Sequence, residues 1–102
     1  MSDKDRIDAR IRGMSENLID TLTSDEGLTT EFLIIGEFKP IVKSEQDAVF
    51  GYILGLALSN FATNYKLIYH RSPTRSETAT FRNMLLERAN IIMSKIQKFS
   101  NL

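Results

Sequence analysis

Residues 48–58 constrain this chain most, because all 11 of them are apolar or glycine. Helical spacing sorts the segment into faces. Phe50, Leu54, Ala57, Leu58, Phe61, Tyr65 and Ile68 fall together, and Val49, Ile53 and Leu56 form a second set. A helix that is apolar nearly all round belongs in the middle of a core, so a buried central helix is predicted over about 45–69. Ser44 is its N-cap, with Glu45 and Asp47 in the first turn. A stretch of 11 residues falls short of the roughly 20 that span a bilayer. Asp47 precedes it, and Asn60, Asn64 and Lys66 follow it. A membrane role is therefore not expected.

Inside that segment Gly51, Gly55 and Ser59 recur at every fourth residue, and Ala62 extends the series. Such spacing puts small residues on one ridge of a helix. Glycine within a helix costs roughly 1 kcal/mol relative to alanine, so two of them imply a packing reason. The expectation is a tight helix crossing, either within one chain or across a dimer.

The flanking segments read as further helices. Over about 3–24, Ile7, Ile11, Met14, Leu18 and Leu22 make one apolar stripe. Ser2 and Asp5 give it a capping-box-like start, Asp8 and Arg12 have the spacing of a helical ion pair, and Gly27 suits a left-handed C-cap. After His70 and Arg71, Ser72 can cap a helix with Pro73 at its first position, and Ser76 with Glu77 is a competing start. Phe81, Leu85, Ala89, Ile92, Ile96 and Phe99 form its core stripe. Leu86 and Met93 lie off that stripe, with Met84 and Ile91 on its other side, so this helix carries more apolar surface than one interface needs. Residues 28–42 are ambiguous. Thr29 or Thr30 could cap a short helix, whereas Phe32, Leu33, Ile34 and Ile35 also suit a buried strand, and a short apolar run is not assigned by period alone. Pro40 ends either element. A short helix is preferred, because no second strand is evident to pair with.

The predicted fold class is therefore all-α, a small bundle packed up and down. Three long helices are joined by one short helix, or short strand, at about 29–38. A length of 102 residues fits one domain, 1–102, with a single core. Its 42% hydrophobic and 25% charged residues are those of a globular chain, and only two prolines interrupt it.

Composition also narrows the chemistry. The absence of cysteine removes disulfides, thiolate nucleophiles and cysteine metal sites. The N-terminus is charged from Asp3 onward, without the apolar core of a signal peptide, so a cytoplasmic location is expected. The one histidine, His70, stands beside Arg71 with nothing local to make it a catalytic base, and a surface or capping role is expected. Glu45, Asp47, Glu77 and Glu87 do not follow the spacing of di-metal bundles. No catalytic, metal-binding or cofactor-binding motif stands out, so an enzyme is not the expectation.

Two functional readings follow. Residues 1–59 carry six basic and 11 acidic side chains, a net of −5, and residues 60–102 carry seven and two, a net of +5. Halves of opposite sign suit packing between copies. With the surplus apolar surface, this predicts a homo-oligomer, most simply a dimer, acting as an interaction or structural protein, with another protein as a further possible partner. Its interface residues would be Gly51, Gly55, Ser59, Leu86 and Met93. The alternative is a nucleic-acid-binding regulator. It would use a basic patch around 66–88, namely Lys66, Arg71, Arg75, Arg82 and Arg88, with phosphate contacts from the start of the last helix.

Overall fold

In a computed structural model, residues 2–101 are described; Met1 and Leu102, the two ends of the predicted domain, lie outside the described residues. The described residues form four helices, α1 (Asp3–Leu22), α2 (Asp25–Gly36), α3 (Glu45–Tyr69) and α4 (Arg75–Ser100), and include no strand. The ambiguous segment is thus helical, and it starts earlier than expected.

Local chemistry explains the boundaries. Ser2, Ser24, Ser44 and Thr74 are the four N-caps, and each side-chain oxygen accepts the N–H of the residue three positions on. At α4 the cap is Thr74 rather than Ser72 or Ser76. Glu77 stands three residues later and its carboxylate accepts the Thr74 N–H at 2.8 Å, closing a capping box that neither rival serine offers. At α2, Ser24 takes the cap. Thr29 and Thr30 lie inside the helix, where their hydroxyls donate to the carbonyls of Asp25 and Glu26. α3 ends at His70, the one non-glycine residue with positive φ among those described, in the left-handed region at 57°. The histidine therefore caps a helix, as expected.

Gly27 does not cap α1. It lies in the first turn of α2 without a positive φ, and close approach explains it. A Cβ there would sit 2.5 Å from the Thr21 carbonyl oxygen and 2.9 Å from that of Leu22. Glycine lets α2 start directly against the last turn of α1.

Side-chain pairs fix the arrangement. Arg12 meets Glu87, Glu16 meets Arg88, Thr23 meets Lys95 and Phe32 stacks on Phe99, so α1 and then α2 run alongside α4 in the same direction. Arg12 turns to Glu87 and Asp8 to Lys4, so the expected Asp8–Arg12 pair does not form. α3 is antiparallel to α4, since Phe61 stacks on Phe81 at one level and Gln46 bonds Ser100 at the far end. The result is a rod of 48 × 21 × 20 Å. Its core holds Ile11 and Ile19 of α1, Leu28 of α2, Val49, Ile53, Ala57, Phe61 and Tyr65 of α3, and Phe81, Leu85, Ile92 and Ile96 of α4. The buried α3 residues are four apart. That row drifts around a helix of 3.6 residues per turn, so the core line winds along α3 and leaves a broad outer face.

Candidate interaction face

The outer face of α3 departs from the sequence expectation. The central helix is not buried all round. Gly51, Gly55, Ser59 and Ala62 all lie on its solvent side. A Cβ placed on Gly51 or Gly55 would meet nothing within 4 Å, so the small-residue ridge makes no tight crossing inside the chain. No charged residue occurs from Ala48 to Tyr65, a span of 18 residues, or about 27 Å of helix. A solvated helix face normally carries charge. The half-buried Tyr52 and Leu56 flank this ridge, and Leu67, 70% exposed, continues the flank toward the C-terminus.

The surplus apolar side chains of α4 divide. Met84 is buried, and Met93 packs against the core from a half-buried position. Leu86 and Ile91 remain exposed. Of the expected interface residues, Gly51, Gly55 and Ser59 share one open face of α3, whereas Leu86 and Met93 belong to another helix.

The five basic residues sit in different settings. Arg71 is folded back, with its guanidinium bonded to Glu77 at 3.0 and 3.2 Å and lying 5.1 Å from the centre of the Tyr65 ring. Arg88 pairs with Glu16 at 3.1 Å. Lys66, Arg75 and Arg82 are exposed.

Two acidic residues take roles that the sequence reading did not assign to them. The first is Glu77. Its carboxylate accepts hydrogen bonds from the Arg71 guanidinium, the Thr74 N–H and the hydroxyl of buried Tyr65, whose oxygen lies 2.5 Å away. Arg71 above all, then the Thr74 and Tyr65 bonds, hold its pKa down to about 2 against the opposing effect of burial. Burial and the same carboxylate push the Tyr65 hydroxyl up to about 12. The arrangement ties the α3–α4 turn to the core. Glu45 meanwhile pairs with Lys39 and Glu87 with Arg12, so the four acids considered for a metal are dispersed. Among the described residues no group of three or more histidines or acids is placed to hold a metal ion, and no helix is long and apolar enough to cross a membrane.

The second is Glu31, which is 2% exposed, with Oε2 lacking a hydrogen-bond partner. Burial raises its pKa to about 7. The signal was present in the sequence, since Glu31 interrupts the apolar stripe of Leu28, Phe32 and Ile35.

Comparison with protein-family models, with curated proteins and with solved structures finds no match to this chain.

Proposed function

We propose that this chain is an interaction protein that works as a homodimer, with the outer faces of two α3 helices crossing. The observation that carries the reading is the uncovered, charge-free face around Gly51 and Gly55. In a single copy nothing offsets those glycines, each roughly 1 kcal/mol worse than alanine in a helix. A second helix laid on them gains close backbone approach, and interface cores are depleted of charge in the same way.

The pattern is also self-complementary. Asp47 and Lys66 bound the uncharged stretch, and their midpoint lies between Leu56 and Ala57. Gly51 and Ala62 are centred at the same place, and Gly55 and Ser59 half a residue away, on Ala57. An antiparallel crossing about that centre sets small residue against small residue. It also brings Lys66 of each copy near the Asp47 of the other, as a two-fold interface requires. The basic residues support nucleic-acid binding less well, because Arg71 and Arg88 are engaged with Glu77 and Glu16.

Gly55→Leu tests the reading. In one copy the new side chain enters open space, so the fold is retained and the helix gains about 0.5–1 kcal/mol from lost glycine flexibility. In the dimer it blocks the crossing. Light scattering is expected to give the mass of one chain for the variant and of two for the parent. An unchanged oligomeric mass would contradict the proposed crossing.

A further inference from the structure

Where α1 gives way to α2, a groove of about 400 Å³ opens against α3. Leu22, Gly27, Tyr52 and Leu56 supply apolar walls, and Glu26 and Glu31 are the charged groups in its lining. The C-terminal end of α1 and the N-terminal end of α2 meet here with partial charges of opposite sign that offset each other, so these carboxylates set the sign of the groove. No lysine, arginine or histidine lines it. Lys95 of α4 belongs to the neighbouring groove of Thr23, Leu28 and Phe99, where its Nζ lies 3.4 Å from Thr23 Oγ1. Glu31 makes no ion pair among the described residues, and its Oε2 is buried without a partner.

We propose that this groove binds small organic cations, a protonated amine on a short apolar body, with the Glu31 carboxylate as counter-ion. Buried polar groups are satisfied almost without exception, and a buried carboxylate needs an opposite charge to remain ionised. No side chain here provides one. The groove's volume and its apolar walls beside one buried carboxylate and one exposed one are those of a small-molecule site. An ammonium group in the groove beside the Glu31 carboxylate, with its hydrocarbon part against Tyr52 and Leu56, balances the charge and covers the walls. The lining comes from one chain, and Tyr52 and Leu56 place the groove at the margin of the proposed α3 crossing.

Calorimetric titration at pH 8 with n-butylamine and phenethylamine is the test. The expected result is saturable binding at one site per chain, retained in Gly55→Leu. Glu31→Gln keeps the shape and removes the charge, and is expected to weaken binding at least tenfold. Lowering the pH to 6 should weaken it roughly tenfold, because Glu31 becomes protonated while the amine stays charged. Leu56→Trp fills the groove while leaving Glu31 in the sequence and should abolish binding. Absence of saturable binding for both amines, or equal binding by Glu31→Gln, would overturn the proposal.

Discussion

Replacing Glu77 by alanine is expected to lower stability at neutral pH by about 3 kcal/mol, read by urea denaturation. Three losses combine in that figure. The Thr74 N–H loses its capping partner, Arg71 loses its carboxylate, and the hydroxyl of Tyr65 is left in the core without an acceptor. Tyr65→Phe removes only the last bond together with its donor and should cost about 1 kcal/mol. Acid titration gives an independent reading. The Glu77 carboxyl, ordinarily near 4.5, is held at about 2 in the folded chain. Its stabilisation is complete above pH 4.5 and lost as the pH falls from there toward 2, since the unfolded chain takes up the proton first. The parent should therefore lose stability steeply over that interval, and the alanine variant should not share that component.

Glu31 acts in the opposite sense, and its effect falls at higher pH. Between 4.5 and about 7 the unfolded chain releases this proton while the folded chain keeps it. Stability therefore decreases as pH rises through that window. From pH 5 to pH 8 the loss is expected to be about 2–3 kcal/mol. Glu31→Gln should remove this slope and be the more stable protein at pH 8. With Glu77 protonating below and Glu31 ionising above, the parent should be most stable near pH 5. A parent whose stability is flat between pH 5 and 8 would show that Glu31 ionises in the folded state as readily as in the unfolded chain. A saturating amine should restore part of the loss at pH 8 by binding the ionised form.

Helices α1, α3 and α4 were legible because their signals are local. Ser2 and Ser44 cap where their position suggests, and Ile11 of the α1 stripe and Phe81, Leu85, Ile92 and Ile96 of the α4 stripe point into the core, although α1 buries Ile19, outside the expected stripe, more deeply than Met14, Leu18 and Leu22. The start of α4 was readable in principle, as only Thr74 has a glutamate three residues later to complete the box. Gly27 was misassigned because two physical reasons for glycine leave the same letter. One is a left-handed turn and the other a backbone too near for a Cβ, and only the position of the preceding helix separates them. The outer face of α3 was hidden for a related reason. A helix with apolar residues on every side does not declare which side its neighbours cover, and the four-residue drift of Val49, Ile53, Ala57, Phe61 and Tyr65 decides it. Spacing along α2 marks Glu31 as facing inward, but not that it lacks a partner there, and the partners Glu77 holds across the α3–α4 turn are likewise not encoded in spacing along one helix.

The central claim, that two copies meet through the face of Gly51 and Gly55, is tested most directly by the solution mass of the unmodified chain. Size exclusion with light scattering at micromolar concentration should give about 23 kDa, twice the 11.6 kDa of one chain. A mass of 11.6 kDa that persists as the concentration is raised would contradict it.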